Sequence, residues 1–233
     1  MEKEHRYVAT DRMSDLITDN FSLLMVMSRF GLKLGFGDQT VKGVCEEQGV
    51  DTHTFLAVAN FLNEGQLSYV DDEQVSLTSL MNYLKNAHSY FLDFNLPTIR
   101  RKLIEALNLA SRDNVGMLIL KFFDEYVEEV RNHMEYENNE VFNYVSELLE
   151  GRLSATYDIL TYSSHHDEID SKLNELKNII IKYYPESGNS NLMNSVLYDI
   201  FNCEQDLKSH GEVEDFMFVP AVEREERRVK NEH

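Results

Sequence analysis

The stretch "RNHMEYENNEVF", residues 131–142, does most to narrow what this chain can fold into. Around it, Tyr126, Val130, His133, Glu137, Val141 and Val145 or Leu148 recur every three or four residues between Phe122 and Leu149. That spacing puts them on one face of a helix, and the apolar members turn the face inward. An imidazole and a carboxylate one turn apart on a buried face need partners, because an unpaired buried carboxylate costs several kcal/mol.

Three more long helical patterns surround this one. The first runs from about Leu77 to Leu109, with Pro97 interrupting or kinking it, and its stripe is Leu77, Met81, Leu84, His88 and Phe91. The second spans about Val115 to Leu149. The third covers about Tyr157 to Tyr184, with Ile159, Tyr162, His166, Ile169, Leu173, Leu176 and Ile180 on one side. The fourth follows "PESGNSN" and continues to about Phe218, where Pro220 ends the pattern; its stripe is Ile200, Cys203, Leu207, His210, Glu214 and Met217. With three prolines and ten glycines in 233 residues and no hairpin-spaced strand patterns, an all-α chain is expected. Four antiparallel helices around one core is the natural assembly.

Every one of these helices aims a histidine inward, and two add a carboxylate at i+4, in "HMEYE" and "HGEVE". Each of those two helices thereby offers one nitrogen and one oxygen to a common point. Buried glutamates are tolerated when they neutralise a cation, and a pair of them can bridge two cations. The expected metal ligands are His88, His133, Glu137, His166, His210 and Glu214. Imidazole and carboxylate without thiolate suit non-haem iron and also fit manganese or zinc. A dinuclear iron centre is the preferred reading, a mononuclear Fe, Mn or Zn site the alternative, and a metal-free polar network the bland one. His165 sits about 100° around the helix from His166, so a one-residue register slip would exchange them. Tyr126 and Tyr162 also line the stripes; most such tyrosines simply pack, with a hydrogen bond to the site as the alternative, and Cys203 reads as an inert buried thiol.

Ahead of the bundle, Met13 to Arg29 reads as a helix, broken by the glycines of "FGLKLGFGDQT". "TVKGVCEEQGVDTHTFLAVANFLNEG" then reads as two short helices turning at Gly49, with Asp51 as an N-cap. The pair looks superficially like a DNA-binding helix-turn-helix, but "DTHTFLAVANFL" carries no Lys or Arg to reach a phosphate or a guanine edge. A formal charge of −19, most of it after residue 70, argues against nucleic acid and anionic lipid. No apolar run approaches membrane-spanning length, and "MEKEHRYVATDR" has no apolar signal segment, so a soluble cytoplasmic protein is expected. Two cysteines, Cys45 and Cys203, make neither a disulfide framework nor a thiolate metal site. The expected domains are a small helical one at 1–68, a metal-binding bundle at 76–222 and a charged, solvated tail at 223–233.

With those residues in place, the sequence resembles the hemerythrin-like iron–sulfur cluster repair di-iron proteins (the RIC, or ScdA/YtfE, family). The bundle segments carrying the resemblance are "AHSYFLDFNLP", "HMEYENNEVF", "HHDEIDSKLNELK" and "HGEVEDFMFVPA", and the N-terminal one is "FSLLMVMSRFGLKLGFGDQTVKGVCEEQGVD". The resemblance implies a hemerythrin-like up-down four-helix bundle behind a short helical domain. It implies that His88, His133, His166 and His210 are terminal ligands and that Glu137 and Glu214 bridge two irons. Two departures matter. The family's Cys-Cys-Gly-Gly turn is replaced by "GFGDQ", and Cys45 in the following helix does not stand in for it. The family's further histidine late in the first bundle helix is also missing, since no histidine occurs between His88 and His133. Water or an oxygen donor such as Glu105 would take its place.

Two functional readings follow from the resemblance. One is a di-iron protein of nitrosative and oxidative stress response that repairs iron–sulfur clusters or donates iron to them. The other is a module that binds oxygen, nitric oxide or iron and acts through a protein partner, which the loss of the Cys-Cys turn favours. Whether the chain is an enzyme is left open; it has no HExxH, no nucleophile motif and no phosphate loop. The expected partners are iron–sulfur proteins or a regulatory protein, NO or O2 as diatomic ligand, and a second copy of the chain meeting through the N-terminal module.

Overall fold

The computed structural model describes residues 6–65, 74–107, 114–153, 157, 159, 162, 167–184 and 189–232. Among these the chain is all-α, with one isolated β-bridge between Arg12 and Thr40. The first four helices are α1 (Met13–Asp19), α2 (Leu23–Arg29), α3 (Val41–Gln48) and α4 (Thr52–Glu64). Four longer ones follow: α5 (77–107), α6 (114–149), α7 (Asp167–Tyr183) and α8 (190–232). Contacts divide the chain into one unit of residues 1–87, 145–159 and 212–233 and another of 88–144 and 160–211.

In the first unit the expected turn at Gly49 is present. Gly49 takes φ 72°, where a side chain would be strained, and so ends α3. The Asp51 carboxylate accepts the Thr54 N–H at 2.7 Å to start α4. The single helix expected from Met13 to Arg29 is two helices instead. Asn20 leaves helical geometry and its side chain accepts the Ser22 N–H at 3.1 Å, a local bond that competes with helix propagation. Buried Asn60 on α4 pairs with both backbone groups of Tyr7, at 2.7 and 2.9 Å. Buried Arg29 donates to the Tyr83 hydroxyl at 3.4 Å, while Asn86 donates to the Arg29 carbonyl at 2.7 Å, tying α2 to α5.

The second unit is laced by ion pairs that join its four helices in a closed circuit. Arg100 and Asp124 link α5 to α6 at 2.7 and 2.9 Å, and Glu129 and Lys172 link α6 to α7. Lys177 and Glu204 link α7 to α8 at 2.6 and 2.5 Å, and Lys102 and Asp199 return from α5 to α8 at 2.6 Å. Most of these charges are half exposed and each such pair adds no more than about 1 kcal/mol, so they mainly select which helix neighbours which. Lys177 differs, because it is buried.

Among the described residues, three long helices contain a π turn: Tyr90–Asn95, Glu137–Val141 and Glu214–Phe218. There the N–H groups of Leu96, Phe142 and Val219 reach back five residues, to the carbonyls of Phe91, Glu137 and Glu214. Pro97 and Pro220 each stand two residues beyond a π turn. A proline in an α-helix lacks one N–H and clashes with the carbonyl four residues back; a widened turn relieves both. Pro220 therefore does not end α8, contrary to the expectation from sequence. The helix continues to Glu232, and Val222, Glu226 and Val229 are buried along it rather than solvated. Glu226 accepts the Ile159 N–H at 3.3 Å.

Candidate metal centre

Among the described residues, His88, His210, Glu137 and Glu214 are buried on the faces that the periodicity turns inward. His88 is 1% exposed, His210 4%, Glu214 1% and Glu137 fully buried. All belong to stripes whose apolar members, including Leu84, Phe91, Val130, Val141, Ile200 and Met217, are buried as well. The π turns set their register. Glu137 and Glu214 each open one, four residues after His133 and His210, and π turns are concentrated at functional positions because the extra residue re-aims side chains.

The Nε2 atom of His88 lies 3.2 Å from Oε2 of Glu137 and 3.1 Å from Nε2 of His210. Glu214 follows one turn after His210 on the same helix, and one donor atom from each of His88, Glu137, His210 and Glu214 lies within 4.8 Å of the others. These four can hold a metal ion. On the far side of the Glu137 carboxylate, Oε1 meets His133 Nε2 at 3.0 Å and the Tyr162 hydroxyl at 2.5 Å. His133 is the least buried of the donors, with 16% of its side chain exposed.

The donor set fits a di- or trivalent cation. Two buried carboxylates in an apolar interior carry a large desolvation cost unless positive charge lies beside them. Imidazole nitrogens and carboxylate oxygens are ligands that iron, manganese and zinc accept, and no cysteine belongs to the group. The surroundings orient the donors. Nδ1 of His88 is 3.0 Å from the Asn138 side-chain oxygen, so the N–H belongs on Nδ1 and the Nε2 lone pair faces the cluster. Phe142 stacks on His88 with ring centroids 5.4 Å apart, and Phe91 meets His210 edge-on at 5.9 Å.

A model of the hemerythrin HHE cation-binding domain matches residues 79–222. The chain belongs to the hemerythrin HHE family. That stretch carries all four clustered donors as well as His133 and Tyr162. A comparison with curated proteins found no match.

Of the six residues expected to bind metal, the structure brings four into one group and sets His133 against Glu137. His166 and its register alternative His165 lie outside the described residues. Glu105 is exposed on α5 and does not stand in for the missing histidine of that helix. Tyr162, expected on the third bundle helix, sits in a turn ahead of Asp167–Tyr183. Sequence reasoning missed Asn138; its signal was its place directly after Glu137, on what a regular helix would make the wrong face. Cys203 is buried, in keeping with an inert thiol. Cys45 is buried too, and burial pushes its thiol from 9.0 up to about 11.

Proposed function

We propose that this hemerythrin-family chain is a non-haem di-iron protein of the iron–sulfur cluster repair type, serving nitrosative and oxidative stress response through the iron it holds. The observation that supports two metal positions is the Glu137 carboxylate, whose oxygens face opposite donor sets. Oε2 faces His88, with His210 and Glu214 in the same group, and Oε1 faces His133. In this reading Glu137 and Glu214 bridge, and His88, His210, His133 and His166 are end ligands. Iron at such a site supplies one-electron redox chemistry and affinity for nitric oxide or dioxygen. The chain's own residues hold the bridging oxygens in place, keep the His88 proton on Nδ1 through Asn138, and exclude water on the Phe91 and Phe142 side. Iron–sulfur proteins that have lost iron are the partners this role requires, in a cytoplasmic setting.

Cys45 shapes the choice between donating iron and sensing. A thiol held near 11 is not a nucleophile at neutral pH, and the turn at Gly35–Gln39 has no cysteine. A repair role would therefore draw on the metal site rather than on a thiol at Cys45 or in that turn. The same fact favours a second reading, in which the bundle senses a diatomic ligand or iron and a protein partner reads the change.

Protein purified without oxygen should contain about two irons per chain by elemental analysis, with near-ultraviolet oxo-bridge absorption after air exposure. A single zinc or iron per chain would remove the dinuclear reading. Normal recovery of iron–sulfur enzymes after nitric oxide stress, in cells lacking the protein, would remove the repair role and leave the sensor.

A further inference from the structure

We infer that Tyr162 supplies its phenol oxygen as a ligand at the second metal position, where the first bundle helix provides no histidine. The inference deepens the dinuclear reading above and rests on it. Tyr162 is 2% exposed, and its hydroxyl lies 2.5 Å from Oε1 of Glu137. That carboxylate oxygen is also 3.0 Å from Nε2 of His133, so the phenol and the imidazole both reach the same side of the Glu137 carboxylate. Donors that share an ion through bonds of about 2.0–2.2 Å stand roughly 3 Å apart, and the His133–Glu137 pair has that spacing, with the Tyr162 hydroxyl closer still to the same oxygen.

Two further observations favour the phenol. Glu105, the oxygen donor expected from α5, is exposed. Tyr162 stands at a turn rather than within α7, so its backbone is not bound to a helical register and its side chain reaches across to Glu137 on α6. A phenolate is an anionic oxygen donor that iron accepts, as tyrosine-ligated haem iron shows. Coordination breaks the phenol O–H bond and forms an iron–oxygen bond from the oxygen lone pair. The phenol proton would be released to solvent as the ion displaces it, and no electron would change hands.

The test uses the full chain, loaded with ferrous iron without oxygen and then oxidised in air. It is read by iron content, visible absorption and resonance Raman scattering. The expected result is about two irons per chain, a visible phenolate-to-ferric charge-transfer band and tyrosinate ring vibrations. Tyr162→Phe should lose the band and the vibrations and bind about half the iron, with its helical circular dichroism unchanged. Tyr126→Phe, which alters another buried tyrosine of the bundle, should keep them. Two irons without tyrosinate vibrations, or vibrations that survive Tyr162→Phe, would overturn the inference and leave the dinuclear reading standing. One iron with vibrations that Tyr162→Phe abolishes would support the ligand and remove the second metal. A wild-type chain that takes up no iron would overturn both.

Discussion

Glu137 concentrates the conflict between stability and function in this chain. A fully buried carboxylate is costly in the absence of a cation, whereas two imidazoles and a phenol aimed at its oxygens are what a cation needs. Glu137→Gln keeps the shape and removes the charge. The metal-free variant is expected to melt at or above the temperature of the metal-free wild type, yet to gain less on adding iron; thermal melts of both forms check this. Asn138 acts through His88, and Asn138→Ala should lower metal affinity about 10–100-fold in a chelator competition, with little change in melting of the metal-free form. Cys45 gives a pH prediction of known sign. Its thiol keeps its proton up to about 11 when folded and loses it near 9 when unfolded, so the unfolded state holds fewer protons between those values. Stability should therefore fall as pH rises from about 9 to 11, less steeply in Cys45→Ala, as read by denaturant midpoints across that range. Native Cys45 should also react slowly with a thiol reagent at neutral pH.

At the scale of an element, α8 shows how a local rule is overridden. Pro220 and the run "VEREERRVKNEH" together signal the end of a helix, and in a regular helix they would be one. The π turn at Glu214–Phe218 absorbs the proline, and a stripe of Val222, Glu226 and Val229 remains to be buried. Sparse apolar residues in a charged run hide such a stripe, because two valines give little periodic signal. Val229→Ala should cost about 1–2 kcal/mol and Val222→Asp considerably more, measured by denaturant unfolding. A solvated tail would show neither effect. The π turns also explain why Asn138 escaped notice. The extra residue shifts side chains off the positions that a 3.6-residue period assigns, and it does so beside the clustered imidazoles and carboxylates.

Across the whole molecule, most of the energetic risk sits in buried charge. Lys177, with 8% of its side chain exposed, is held by both oxygens of Glu204. Glu204→Ala strands that ammonium and should destabilise the fold by about 3 kcal/mol, whereas replacing both residues with Met and Leu should cost much less. A double-mutant cycle in urea separates the two. The metal centre adds a second term of this kind. Binding to the folded state alone stabilises by about 2.7 kcal/mol at a free metal level one hundred times the dissociation constant, so chelation should lower the melting temperature cooperatively. If melting were indifferent to iron and to chelator, the cluster would not be a metal site coupled to folding.

The sequence by itself determined the helical class and the inward faces that bury His88, Glu137, His210 and Glu214, because each follows from a short-range period that a single helix must obey. It also determined the Gly49 turn and the Asp51 cap, which depend on a few adjacent residues. The tertiary structure alone decided that Glu137 presents its two oxygens to different donors, and that Tyr162 reaches it from a turn. It alone decided that Glu105 faces solvent and that α8 runs on to Glu232. Those outcomes rest on which helices become neighbours and on where a widened turn shifts the register, and no local pattern in the chain records either.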